Sequence, residues 1–308
     1  MEHFKSNDGI TLAYQDVGSK HLPPLILLHG FTGSSAVFKK NIPHLADGTY
    51  RIIAPDLRGH GQSSKPTSGY HVARLAMDLE GLIEHLKLPR GRISCLGASL
   101  GAAIIWSHAE LFTTASFSHV IFIDQAPLQN YTSDGSWGPS QGNWSCNSAA
   151  AVAALQSTLR TVPDEAYKGT IATCLGYRWH PLPEDGVSQP LIADDESFFL
   201  DVARQGRGEW FGKLMADHTA LDWRDSIVHS FGPGSGSTTR VLVIASDRSG
   251  CFPAAGPLTI VDLVNGPRAD GSQQNLAQGK VVSWGGHWCY WEHPERFDAM
   301  VLEFLGAS

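Results

Sequence analysis

No stretch of about 18 consecutive apolar residues occurs in the chain, so no membrane-crossing helix is expected. The opening residues, MEHFKSNDGITLAYQDVG, lack an apolar core behind a basic start, which argues against a secretion signal and for a cytoplasmic location. The 23 Lys and Arg form no cluster interleaved with aromatics, and 30 Asp and Glu outnumber them. The net charge of −7 would not draw the chain to a polyanion, so nucleic acid is not expected as a partner. Five cysteines (Cys95, Cys146, Cys174, Cys251 and Cys289) are odd in number, scattered, and without C-x-x-C spacing. That pattern points away from both a disulfide framework and a zinc site. Two glycosylation sequons, at Asn130 and Asn143, are expected to stay bare without a secretory route. Repeats and low-complexity tracts are lacking too.

With 42% hydrophobic and 17% charged residues, the 308-residue chain has a soluble globular composition, long enough for one large α/β domain or two small ones. Its first half alternates apolar runs with helix-like segments. PLILLHG (24–30), YRIIAPD (50–56), GRISCLGAS (91–99) and SHVIFID (118–124) read as strands buried on both faces. Between them, residues 68–88 place Val72, Leu75, Leu79, Leu82, Ile83 and Leu86 at helical spacing. Such alternation implies right-handed crossovers and a parallel sheet. Residues 8–18 alternate more weakly and are read as an antiparallel edge hairpin. From about Pro127 the pattern becomes Trp-rich, with an Ala-rich helix at 148–162. Strands resume with RVLVIAS (240–246) after FGPGSGSTT, and GKVVSWGGH (279–287) precedes a closing amphipathic helix at 293–305. One sheet domain, residues 1–126 and 223–308, interrupted by a helical insertion at 127–222, is the expected organisation.

The segment GASLG gives Gly97-x-Ser99-x-Gly101 directly after a strand and before a helix. A turn that sharp strains its middle residue, and it tolerates the strain only if the flanking residues lack bulk. The Ser99 hydroxyl would then stand above the sheet edge, facing the positive end of the following helix.

Around this elbow the chain resembles the α/β-hydrolase-fold superfamily over nearly its full length. LLHGFTGSS (27–35) is similar to that family's oxyanion loop, APDLRGHGQSSKP (54–66) to the loop after the next strand, and GGHWCYWEHPERF (285–297) to the segment carrying its histidine. The resemblance implies a mostly parallel eight-stranded sheet with helices on both faces and a helical cap at 127–222. It implies Ser99 as nucleophile, His287 as general base, and the backbone N–H groups of Phe31 and Leu100 as oxyanion donors. His29, Asp56, Arg58 and His60 read as residues that fix loops. The triad acid is where the chain departs from the family, since Ser249 stands in the usual slot after RVLVIAS. Asp124, at the end of VIFID, and Asp247 are both candidates; Asp124 is favoured narrowly.

The insertion's Trp137, Trp144, Trp179 and Trp210, together with Trp288 beside His287, suggest an apolar or aromatic pocket wall. A serine hydrolase acting on an ester, lactone or thioester of a moderately large apolar small molecule is the expected function. A lyase or carbon–carbon hydrolase with the same triad, and a non-catalytic ligand-binding protein, are the alternatives. Serine at position 99 argues against the family's dehalogenase and epoxide-hydrolase branches, which attack with a carboxylate. This chemistry needs no metal or organic cofactor, so none is expected; a homodimer is left open.

Overall fold

The computed structural model describes residues 1–179, 189–267 and 270–306. Eight strands form one sheet: β1 (Glu2–Lys5), β2 (Thr11–Val17), β3 (Pro24–Leu28), β4 (Arg51–Pro55), β5 (Ile93–Ala98), β6 (Phe117–Ile123), β7 (Arg240–Ser246) and β8 (Ala277–Val282). Their order is β1-β2-β4-β3-β5-β6-β7-β8. β2 runs antiparallel to β1 and β4, and all remaining pairs are parallel. The edge hairpin differs from the expectation. Residues 8–18 supply only one of its strands, because Gly9, at φ +80°, turns the chain and pairs β2 back onto residues 2–5.

The continuous apolar runs are explained by burial on both faces. On β3, Ile26 and Leu28 enter one core while Leu25 and Leu27 enter the other; on β7, Val241 and Val243 oppose Leu242 and Ile244. The first core is covered by the helices Val72–His85 and Leu100–Phe112, and the second by the closing helix Pro294–Leu305. That last helix starts with proline at its first turn and buries Phe297, Val301 and Phe304.

After β3 the chain crosses to β4 on one side, and β5 then takes the other side of β3. The carboxyl ends of β3 and β5 therefore flank a switch in strand order, the place where open α/β sheets form a crevice. Both the loop after β3 and Ser99 lie there. β8 ends at Val282, so His287 sits on a loop five positions beyond the strand.

Between β6 and β7 the described helices are Ala149–Thr161, Pro163–Cys174, Gly176–Trp179, Gln189–Ala203, Gly208–Ala220 and Arg224–Phe231. Ser148 caps the first through its hydroxyl, which accepts from Ala151 N–H at 3.3 Å. The first and fifth cross so closely that a Cβ on Gly208 would fall 1.9 Å from the Leu159 carbonyl oxygen. This region is tied to the sheet by Asp217, whose carboxylate accepts from Val72 N–H at 2.8 Å and so caps the helix Val72–His85. No helix among the described residues is long and apolar enough to cross a membrane.

The two elbow glycines do what the sequence requires of them. A Cβ on Gly97 would lie 2.4 Å from Gly101 backbone, and one on Gly101 would lie 2.5 Å from the Leu28 carbonyl oxygen. Neither obstacle is a mobile side-chain tip. Gly101→Ala is therefore expected to destabilise the fold by about 1–3 kcal/mol, as overpacking does; chemical denaturation of the two proteins measures it, and an unchanged midpoint would contradict the packing described.

Candidate active site

Ser99 occupies φ +53°, ψ −117°, a conformation costly for a residue with a side chain. Its N–H donates to the Ile123 carbonyl at 3.0 Å and its carbonyl accepts from Ala102 N–H at 2.8 Å, so the turn is held from both sides. The opposing wall is the loop after β3. A Cβ on Gly30 would lie 3.2 Å from Ser99 Cβ, which brings the loop's backbone against the elbow. The N–H groups of Phe31 and Leu100 donate to no acceptor among the described residues.

That loop is fixed by buried polar groups. Leu57 N–H donates to His29 Nε2 at 3.0 Å, leaving Nδ1–H to donate to the Gly30 carbonyl at 2.8 Å. The two bonds define a neutral tautomer, and burial lowers the ring's basicity further. Asp56 accepts from Ser35 N–H at 2.7 Å and Gln62 N–H at 2.6 Å, and Arg58 forks onto Asp78 at 2.8 Å through two nitrogens. His60 Nδ1 lies 2.9 Å from the Arg58 carbonyl. These four residues act on loop geometry, as their pattern suggested.

His287 Nδ1 lies 2.7 Å from Asp124 Oδ2, with both residues buried. Asp124 is itself anchored: its other oxygen accepts from Ser246 N–H at 2.9 Å, and its N–H donates to the Ile244 carbonyl at 2.7 Å. Its backbone is also left-handed, at φ +45°. Asp247, the alternative acid, lies exposed just past β7, where its N–H donates to the Val282 carbonyl. Ser249, in the family's usual acid slot, accepts from the N–H groups of Cys251 and Phe252 and shapes that turn. Burial disfavours a charged His287, but the Asp124 carboxylate beside Nδ1 opposes it, and the imidazole's pKa is raised. The Ser99 hydroxyl donates to Gln125 Oε1 at 3.3 Å and forms no hydrogen bond with His287 in this structure.

Ser99 and His287 line one cavity of about 370 Å³, in the range of small-molecule sites. Its apolar wall comes from Phe31, Leu155, Ala166, Met215, Phe252 and Trp288. Its polar lining includes Gln125 and His218, neither of which the sequence singled out; His218 is a buried imidazole held neutral by burial, with a pKa lowered to about 4. The expected tryptophan wall needs correction. Of the four whose side chains are described, only Trp288 lines the cavity, stacked on Phe199 with ring centroids 3.9 Å apart. Trp137 is buried beside Phe252 and donates its indole N–H to the Leu128 carbonyl, Trp144 bonds to the Pro139 carbonyl, and Trp210 stacks on Tyr70. Their rings are spent on packing and on loop anchoring. The side chain of Trp179 falls outside the described residues.

The cavity also gathers ligand atoms that spacing gave no reason to combine. The sulfurs of Cys174 and Cys251 and one nitrogen of His287 all lie within 4.8 Å of one another.

A match to the model of the alpha/beta hydrolase fold spans residues 23–174. A further full-length match, to Epoxide hydrolase A of Mycobacterium tuberculosis, is 34% identical and covers 99% of this chain and 97% of that one. The chain belongs to the α/β-hydrolase family. Among solved structures it is similar to an esterase of Exiguobacterium antarcticum (20% identity, TM-score 0.80, 99% of this chain and 98% of that one). It is also similar to the enol-lactonase of Burkholderia xenovorans (18%, TM-score 0.76, 99% and 100%). At these identities the two structures speak to the fold alone.

One half-buried acid holds the histidine loop in place. Glu292 accepts from Gly176 N–H at 2.7 Å and from Gly286 N–H, clamping the residue before His287 to the helix Gly176–Trp179. Burial, opposed by those two N–H bonds, pushes its carboxyl up to about 7, against an ordinary value of 4.5. A folded-state value above the unfolded one means that stability is fully present below about 4.5 and is lost as pH rises through about 7. Glu292→Gln should therefore flatten the decline in melting temperature across that window; an unchanged slope would contradict a carboxyl with a raised pKa.

Proposed function

We propose that the protein is a serine hydrolase that cleaves an ester, lactone or thioester of a moderately large apolar or aromatic small molecule through an acyl-enzyme. The observation that carries this reading is the Ser99 elbow, open to a largely apolar cavity that His287, held by Asp124, also lines. In this mechanism His287 takes the Ser99 proton as Oγ attacks the acyl carbon. The hydroxyl must first leave Gln125, a bond that at 3.3 Å is weak. The developing oxyanion is received by the Phe31 and Leu100 N–H groups, each contributing about 3–4 kcal/mol in comparable sites. The imidazolium then protonates the leaving alcohol or thiol, and water, deprotonated by His287, releases the acid and restores Ser99.

Asp124 is the acid of this triad, and Asp247 plays no part in it. Residues 127–222 act as a cap over the nucleophile, since Leu155, Ala166 and Met215 supply much of the apolar wall. The full-length relative's name raises epoxide opening as a rival activity. The epoxide-hydrolase branch attacks with a carboxylate, however, and position 99 carries a hydroxyl.

Hydrolysis of a panel of aryl and alkyl esters, lactones and epoxides tests the reading. Turnover of esters or lactones, absent in Ser99→Ala, is expected; turnover of epoxides alone would overturn it. Asp124→Asn should cut kcat by about 10⁴-fold, the loss seen for the equivalent change in a serine protease, whereas Asp247→Asn should leave it near the wild-type value. Because only neutral His287 can act as base and its pKa is raised, kcat/KM should climb with pH through a value above the ordinary 6.5 of histidine. An acid limb at or below 6.5 would contradict the ion pair's influence.

A further inference from the structure

Cys174, Cys251 and His287 come from three segments far apart in sequence, and the backbone fixes them together. Gly250 N–H donates to the Thr173 carbonyl at 3.0 Å, and Trp288 N–H donates to the Cys174 carbonyl at 3.1 Å. Gly176 and Gly286 approach so closely that a Cβ on Gly286 would lie 2.4 Å from Gly176 N. The three side chains are thus held in one arrangement, and a ligand binding them would have little ordering left to impose.

The sulfurs of Cys174 and Cys251 lie 3.8 Å apart. Two thiolates bound tetrahedrally to zinc at about 2.3 Å each are separated by about the same distance. With Nδ1 held by Asp124, the ring nitrogen available to a cation is Nε2, and a carboxylate behind a ligating imidazole is the usual outer support of a histidine on zinc. Two thiolates would neutralise a divalent cation, so its burial would add no net charge.

We infer that Cys174, Cys251 and His287 form a binding site for a soft divalent cation such as Zn²⁺ or Cd²⁺, whose occupation switches the enzyme off. Binding replaces three metal-bound waters with two metal–sulfur bonds and one metal–nitrogen bond, and releases to solvent the two thiol protons and, where the imidazole is charged, the Nε2 proton of His287. It also occupies the Nε2 lone pair that would take the Ser99 proton. All three residues line the same cavity as Ser99. The inhibition rests on the proposed hydrolase activity; the binding does not.

The test is calorimetric titration of the chelator-treated full chain with Cd²⁺ in a phosphine reductant, read alongside the ultraviolet thiolate-to-cadmium absorption. One equivalent should bind with that absorption, and Ser99→Ala should bind as the wild type does. Loss of an outer partner alone costs about 10–100-fold in such sites, so Cys174→Ser/Cys251→Ser should bind more than about 100-fold more weakly. The single Cys251→Ser variant, with a melting curve recorded without metal, serves if the double variant does not fold. A wild type without a bound equivalent, or cysteine variants within tenfold of it, would overturn the site. In the hydrolysis assay Cd²⁺ should abolish turnover and EDTA should restore it. Binding with full turnover would overturn the switch, whereas binding by a protein without any hydrolase activity would leave the site standing and overturn the proposed function.

Discussion

The backbone conformation of Ser99 is the constraint on which the remainder of the site depends. A left-handed residue at the mouth of a parallel strand is stable only if the two chains beside it come close enough to brace it. Gly97 and Gly101 permit that approach: their missing side chains let β5, the start of the helix Leu100–Phe112 and the end of β3 share one small volume. The same crowding brings the Gly30 backbone against Ser99 Cβ. The strained Ser99 turn and the loop after β3 are therefore consequences of one packing solution, and neither can be relaxed without moving the other.

Much of this was legible because it is local. Strand-length apolar runs, a small-x-Ser-x-small turn and a helix at 3.6-residue spacing each leave their mark within about 20 residues. The carboxylate that partners His287 was less legible for a physical reason. β6 and β7 are neighbours in register, with Ile123 opposite Ile244, so Asp124 and Asp247 emerge at the same edge of the sheet. What separates them is the left-handed turn at Asp124 and its bond from Ser246, which aim its carboxylate at His287. Neither can be read from a strand pattern.

The aromatic rings illustrate the converse. Their number in the insertion was plain, but which way each faces is decided by tertiary packing. Trp137, Trp144 and Trp210 went to packing and loop anchoring, and the cavity wall was built from smaller residues such as Leu155, Ala166 and Met215. The meeting of Cys174, Cys251 and His287 lay wholly beyond sequence reasoning, since it depends on the Gly176–Gly286 approach and on hydrogen bonds between segments over 70 residues apart. Scattered cysteines argue against local zinc motifs and say nothing about ligands assembled by a fold.

The central claim is that position 99 carries a covalent acyl group during turnover. Rapid acid quenching of the protein with a slowly deacylating aryl ester, followed by peptide mass mapping, addresses it directly. An acyl adduct on the peptide containing Ser99, building up within the first turnover and decaying with hydrolysis, is predicted. Turnover without an adduct there, or with the acyl group on Cys174 or Cys251, would contradict it.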